Sequence, residues 1–576
     1  MRLAEGCHAV KRKSAFAPGE RGAPQTALTI CALVLAVYFA NAVWRAVDFA
    51  ARFADQVAFV ICLIAIAGIA IASQYHMRRG ITLIIGASFL AQLFWAAWAD
   101  PQPIDDLARM WDAARRLSVG LASANIESGL LAESHAPSAL VFYALVMTGL
   151  GDDVSSMRVV SALCWCAQIY LVWRIALLIP ILRERATLAA GLFGLAPSLV
   201  VYGALPSIEA VFGTFALIGV YYFLKSRESA AIQDAFFAGL FFALAYLARP
   251  IGGAYCISAA AVLVAVAHAA NAERRKYMRM QAAVLLLGFA VGVAPLASFH
   301  ALRSGAFSIA PGAALGYQFL IGANIAGGGG FSETANGEDL RQVGIFGDNT
   351  VSPIAANRLA IQRAFERLAQ NPFGFAGMAA TEKIRRLWSN ERELLTWGLN
   401  TASHAAANAV SSRIKSTLAA RHFVDGFYLA FILLTFLAFA RLALTRGRFV
   451  TEPHSLIYIL GLALGLVFAM VFLEARPRQH LPLTPLMALC GSFALAQINL
   501  IRIPLPKFLL KRRHSKNAHD AQATRETKAE SIHTQPPAAK LAHVLSRMSK
   551  PSRPDDDQNQ ERKNQEGENQ ERDRSA

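Results

Sequence analysis

Residues 80–111 read GITLIIGASFLAQLFWAAWADPQPIDDLARMW. The first 20 of them carry no charged side chain, and 20 residues is the length an α-helix needs to cross about 30 Å of hydrocarbon. The apolar run stops at Asp100, and two further carboxylates, Asp105 and Asp106, follow at once. A membrane-spanning helix that hands acidic side chains to one face of a bilayer is therefore the unit from which the rest of the chain is read.

Outward from that stretch the pattern recurs. Apolar blocks occupy 26–45, 56–74, 80–99, 137–150, 158–179, 187–203, 207–224, 232–249, 251–268, 280–300, 423–444, 455–473 and 480–499. The 576 residues are 55% hydrophobic and 16% charged, with a mean hydropathy of +0.38, too apolar for a soluble globular chain. The fold class implied is an all-α polytopic membrane protein.

The net charge of +17 is not spread as a nucleic-acid-binding surface would need. Its basic residues gather beside the blocks: Lys11, Arg12 and Lys13; Arg78 and Arg79; Arg274, Arg275, Lys276 and Arg279; Arg446 and Arg448; Lys511, Arg512, Arg513 and Lys516. Such clusters mark cytoplasmic ends of spans, which places both termini inside and makes the number of crossings even. Of the thirteen blocks, 137–150 is short, follows Pro137 and closes on Gly151-Asp152-Asp153, so it is read as a helix lying at the outer surface. Twelve spans result. The alternative keeps thirteen and puts the tail outside.

This topology divides the chain into a cytoplasmic segment 1–25, a transmembrane domain 26–499 and a cytoplasmic tail 500–576. The tail is charged, rich in Gln and Asn, and carries near-repeats such as Asn559-Gln560-Glu561-Arg562 and Asn569-Gln570-Glu571-Arg572. It cannot bury a core and is expected to be disordered. Two external loops, 100–135 and 301–422, are expected to form a small layer over the spans. Within the second, 355–369 and 375–388 have helical periodicity, whereas Gly327 to Gly330 and Asn336-Gly337 read as turns. The glycine run lacks the phosphate-binding GxxxxGK pattern. The seven cysteines show neither a disulfide framework nor zinc-ligand spacing.

A transferase at a membrane face needs a carboxylate to deprotonate an acceptor hydroxyl and cations for a leaving phosphate. Adjacent Asp105 and Asp106 raise one another's pKa, which suits a base. The other reading makes one of them the cap of a helix carrying Ala108, Trp111 and Arg115.

Acidic residues in the first external loop, followed by a helix, resemble the arrangement in GT-C-type glycosyltransferases, which include protein O-mannosyltransferases and lipid A aminoarabinose transferases. The likeness continues in order. His135-Ala136-Pro137 is similar to the family's His-Pro-Pro, and Met157-Arg158-Val159-Val160-Ser161-Ala162 to its Arg-containing span start. Pro197-Ser198-Leu199-Val200-Val201-Tyr202, with Glu209 seven residues on, resembles a two-helix signature. Ala248-Arg249-Pro250, Leu320-Ile321-Gly322-Ala323-Asn324 and Arg478-Gln479-His480-Leu481-Pro482-Leu483 complete the series. Ala136 departs from the first proline of His-Pro-Pro and Gln479 from the usual tyrosine, which leaves the acceptor class open.

The resemblance implies a GT-C-like bundle and an inverting transferase of a hexosyl or pentosyl group from a polyprenyl-phosphate-linked donor. The acceptor would be an envelope glycolipid, lipid A or lipopolysaccharide, or a protein, at the periplasmic face of a bacterial-type inner membrane. It makes Asp106, or its neighbour Asp105, the catalytic carboxylate. Arg158, Arg249, Arg303, Arg478 and His480 become candidate donor-phosphate ligands, with His135 and Glu209 as further site residues. Each arginine has a second reading as an interfacial anchor in contact with membrane lipids, and Glu209 one as a helix N-terminal carboxylate. Aspartates could also hold Mg²⁺ or Mn²⁺, although no oxygen cage is legible. The competing function is a transporter or flippase of lipid-linked glycans. That reading expects ionisable groups in mid-membrane and matching halves, and here Arg174 is the main charge deep in a block.

Overall fold

The computed structural model describes residues 22–53, 56–75, 77–103, 105–123, 134–229, 231–345, 351–399, 418–446 and 453–497. The expected N-terminal segment before residue 22 and the tail lie outside the described residues, as do parts of both loops and the side chains of Asp105 and Asp106. All that is described belongs to one unit, Met1–Leu500.

Every regular element among the described residues is a helix, as a bilayer requires of segments whose backbone polar groups must be satisfied internally. Each apolar block is mostly helix over its described residues. By length and composition seven helices among the described residues can cross a membrane: Gln25–Phe49, Arg79–Ala99, Val154–Leu178, Ile208–Ser229, Ala272–Arg303, Arg421–Leu444 and Ser455–Phe472. An eighth candidate is a pair, Pro180–Gly194 and Pro197–Gly203, bent by 62°, where the sequence pattern implied one continuous span. Pro197 explains the break: it lacks an N–H and excludes helical backbone at the preceding residue. Ala196 is accordingly extended, with φ −63° and ψ 121°.

The helix Pro137–Leu150 has 14 residues, about 21 Å, which is short for a crossing. It buries Pro137, Ala139, Leu140, Tyr143, Ala144 and Met147. It packs on Asp105–Ala122, which turns Leu107, Met110, Ala114 and Leu117 inward.

Close packing inside the bundle depends on small residues. Ile232–Ala248 and Ala272–Ser304 meet backbone to backbone. A Cβ on Gly239 would lie 1.9 Å from the Leu285 carbonyl oxygen, and one on Gly288 2.1 Å from that of Phe236. Lipid tails give no hydrophobic drive between spans, so van der Waals contact of this kind carries the association.

In the second loop, the periodicity at 355–369 and 375–388 is realised as Pro353–Gln370 and as the run Pro372–Met378, Ala379–Lys383, Ile384–Trp388, whose middle part is a π-helical turn. The glycines 327–330 form a turn. Asn336-Gly337 does not: it lies inside the helix Glu333–Gln342. The Asn336 side chain, 1% exposed, accepts from Ser332 N at 2.8 Å. It thus reaches back to the helix start instead of opening a turn.

Candidate active site

The chain leaves the helix Met77–Ala99 through Asp100, whose φ of 46° is uncommon for a residue with a side chain. Arg158 holds this elbow. It sits at the start of the second turn of Val154–Leu178, which Asp153 caps by accepting from Ser156 N. Its Nη2 lies 2.7 Å from Asp100 Oδ1 and donates to the Pro101 carbonyl at 2.6 Å. Arg158 is 6% exposed and Asp100 lies at the surface, so the clamp is a charge-assisted contact from a buried guanidinium to an exposed elbow. The helix headed by Asp105 and Asp106 begins directly after it.

A second group assembles from three further helix ends. Glu209 stands in the first turn of Ile208–Ser229, and the turn before it is pinned by Ser161 Oγ, donating to Leu205 O, and Tyr143 Oη, donating to Ser207 O. Arg249 follows the last residue of Ile232–Ala248. Pro250 excludes helix at Arg249, leaving it extended (φ −149°, ψ 133°) so that its side chain turns away from the helix it ends. The two form a buried ion pair, Glu209 being 3% and the Arg249 side chain 11% exposed. Tyr202, from the short helix Pro197–Gly203, lies within electrostatic reach of Glu209, Arg249 and Arg478. Arg478, from the turn Pro477–Leu483, stacks its guanidinium 4.7 Å over the Trp397 ring, with Nε 3.9 Å from Glu393.

Several polar atoms here are buried without a hydrogen-bond partner among the described residues: Arg249 Nε, Trp165 Nε1 and Gln92 Oε1. Orphaned buried groups are rare in folded proteins, and a cluster of them marks a place made for a polar ligand or water. A cavity of ≈ 20 Å³ adjoins them, lined in part by Trp165, Gln168, Glu209, Tyr255 and Pro482. That volume holds about one water.

The remaining candidates fall elsewhere. His480 is fully buried. Its Nδ1 is 2.8 Å from Leu387 O, its Nε2 3.1 Å from Glu391 Oε1, and its ring stacks between Trp388 and Tyr428. Both nitrogens are used in tying the Arg478 turn to the loop helices, so His480 positions Arg478. His135 is exposed ahead of Pro137–Leu150, and Arg303 is exposed on the last turn of Ala272–Ser304. Neither joins the Glu209 group through the contacts described. Among the described residues no group of three or more His, Cys, Asp or Glu side chains could hold a metal ion.

Lys383 had no signal in the sequence beyond its place in the charged run 382–386. It is 1% exposed, in the π-helical turn, and donates to Gly322 O at 2.9 Å and Val471 O at 2.7 Å. Burial lowers its pKa to about 7, against the pull of Glu474. Beside it Ala475 N donates to Gly329 O, and Arg476 pairs with Glu474 at 2.6 Å. Burial also raises the Glu474 carboxyl, while Arg476 and Arg478 act in the opposite sense. The glycine run therefore serves as a close-packed seam: a Cβ at Gly329 would meet the Lys383 side chain at 2.7 Å.

Residues 134–296 match the family described as dolichyl-phosphate-mannose-protein mannosyltransferase. The matched stretch holds Arg158, Tyr202, Glu209 and Arg249. No curated protein matches the chain. Among solved structures, the chain is similar to the Archaeoglobus fulgidus oligosaccharyltransferase in complex with Zn and sulfate (12% identity, 72% of this chain and 48% of that one, TM-score 0.41). It is also similar to the archaeal oligosaccharyltransferase AglB from Archaeoglobus fulgidus, in complex with an inhibitory peptide and a dolichol-phosphate (14% identity, 77% and 52%, TM-score 0.42). The chain spans about half the length of these proteins. The resemblance to GT-C glycosyltransferases carried by the motifs is thus met independently over residues 134–296.

Proposed function

We propose, from this similarity to lipid-phosphate-sugar-dependent transferases, that the protein is a membrane glycosyltransferase. It takes a sugar from a polyprenyl-phosphate carrier and passes it to an envelope acceptor, a protein, lipid A, lipopolysaccharide or another glycolipid. The observation that carries this reading is the buried meeting of Glu209, Arg249, Tyr202 and Arg478, with orphaned polar atoms around it. Two guanidiniums held out of water beside a carboxylate suit an anionic group that arrives and exchanges partners with Glu209. The matched family's description names a dolichyl-phosphate-linked sugar as donor.

In this reading Arg249 and Arg478 receive the carrier phosphate, Arg158 fixes the approach of the acidic loop, and Glu209 keeps Arg249 in place until the donor binds. His480 holds the Arg478 turn, and the exposed His135 and Arg303 belong to the approach. Asp106, or Asp105 beside it, takes the proton from the acceptor hydroxyl as the oxygen attacks the anomeric carbon and the C–O bond to the carrier phosphate breaks, with inversion. Twelve crossings fit the architecture. The seven long helices and the bent pair are joined by Gln56–Tyr75, Ile232–Ala248, Gly252–His268 and the run from Pro477 to Gln497. The active face is then periplasmic and the tail cytoplasmic.

The test is a deletion strain complemented with variants, its envelope glycolipids and glycoproteins compared by mass spectrometry. Asp106→Asn is expected to abolish the product while the protein still inserts and binds the lipid-linked donor, because Asn keeps the capping ability and loses the proton acceptor. Asp105→Asn is expected to impair less. Full activity in both single variants and in the double variant would remove the acidic pair from the chemistry.

A further inference from the structure

The helices Val154–Leu178 and Ile208–Ser229 pack along one another. At one end they carry Arg158 and Glu209. Sixteen residues on, about 24 Å along each axis, they carry Arg174 and Lys225. These two cations have different surroundings. Lys225 is neutralised by Asp234 at 2.9 Å, whose other oxygen accepts from Ser229 Oγ. Arg174 has no carboxylate partner among the described residues. Its Nη1 donates to Tyr170 Oη at 3.0 Å and its Nη2 to Tyr221 Oη at 2.9 Å, and Cζ lies 5.8 and 5.4 Å from the two ring centroids.

The surface around it faces lipid. On the same helix Val159, Leu163 and Tyr170 are 38%, 53% and 41% exposed, and at 100° per residue Arg174 continues their stripe. It lies four residues, about 6 Å, before the helix end at Leu178, the depth of a headgroup seen from the hydrocarbon. An arginine that only anchors a span extends toward water and moves with it. This one is held sideways by hydroxyls from two helices, so its charge is fixed at the lipid boundary and uncompensated.

We propose that Arg174, Tyr170 and Tyr221 form a binding site for the phosphate of an anionic glycerophospholipid, in the leaflet opposite the Glu209 group. The guanidinium supplies the charge, and the tyrosines fix its plane and pack the glycerol backbone. The preference is for an anionic lipid because a zwitterionic headgroup brings its own cation, whereas the fixed charge here needs a net negative partner.

The test uses the full-length protein in phosphatidylcholine nanodiscs with and without phosphatidylglycerol, read by thermal unfolding and by lipid retention in native mass spectrometry. Phosphatidylglycerol is expected to raise Tm and to be retained in preference to phosphatidylcholine. Arg174→Gln is expected to weaken its retention by roughly tenfold, the scale of one charge-assisted contact, and to remove the Tm increment. Tyr170→Phe/Tyr221→Phe, which keeps the rings and the charge, is expected to reduce both, and serves if Arg174→Gln does not fold. Lys225→Gln is expected to leave the preference intact. Retention of the preference by Arg174→Gln or by the double tyrosine variant would overturn the site. So would equal binding of both lipids, or an equal Tm rise from soluble glycerol 3-phosphate.

Discussion

Burying Glu209 and Arg249 together takes two ions out of water for one contact, and such pairs add little net stability. Removing one partner is different, because the other charge is left in a dry site, at about 3–5 kcal/mol. Arg249→Ala is therefore expected to lower the unfolding temperature strongly. Adding Glu209→Gln to Arg249→Met is expected to recover most of the loss yet bind no lipid-linked donor, as donor-binding and melting assays on the same samples would report. Recovery of donor binding together with stability would take Arg249 out of the phosphate site. Lys383 gives a prediction in pH. The unfolded chain keeps the ordinary lysine pKa of 10.5 while the folded one titrates at about 7. Between these values the unfolded state holds a proton the folded state lacks, so stability rises with pH across that window and is flat below it, where both are charged. Lys383→Met is expected to flatten the rise in a pH series of thermal unfolding. A slope unchanged from the parent would place its origin elsewhere.

At the scale of elements, the site depends on how closely helices approach. Arg249 ends a helix whose Gly239 touches the Leu285 carbonyl, and the partner helix offers Gly288 to Phe236. A side chain at either point meets rigid backbone, which overpacking puts at about 1–3 kcal/mol, and the separation it forces is carried along the helix to Arg249. Gly288→Val is expected to lower both stability and donor affinity. Gly86→Val, where nothing lies within 4 Å, is expected to change neither. Equal effects in the two variants would mean that side-chain bulk in any span, and not this crossing, is responsible. The bent pair at Pro197, read from the sequence as one continuous block, breaks because the proline excludes helix at Ala196. The helix over Asn336 is not legible from the sequence, because its start is stabilised by a side chain bonding four residues back.

For the whole molecule, the arrangement of charge separates the two functions weighed from the sequence. Arg174, which the sequence placed deep in a block where a transporter would have its pathway, stands four residues before a helix end, half-buried with two tyrosines. Glu209, Arg249 and Arg478 gather instead at the other end of Ile208–Ser229, away from Lys225 and its buried partner Asp234. Reporter fusions at Arg275 and near Lys516 are expected to report cytoplasm, and one near Asn336 the outside. An external tail would restore Pro137–Leu150 as a crossing.

The sequence by itself determined the membrane class, the positions of most apolar helices and the acidic opening of the first loop. Hydrocarbon requires long uncharged segments with internally satisfied backbones, and that is a property of consecutive residues. Motifs that resemble those of GT-C transferases also made Arg158, Glu209, Arg249 and Arg478 candidates. Only the tertiary structure decided their partners. Arg158 reaches the carbonyl of Pro101 across 57 residues, Arg249 pairs with Glu209 across 40, and His480, beside Arg478 in the chain, turns to Glu391 across 89 and becomes a buried support. Such contacts join helix ends whose spacing in the chain bears no relation to their spacing in the bundle. They follow from where glycines let helices close and prolines make them stop, geometry that a one-dimensional pattern of polarity does not contain.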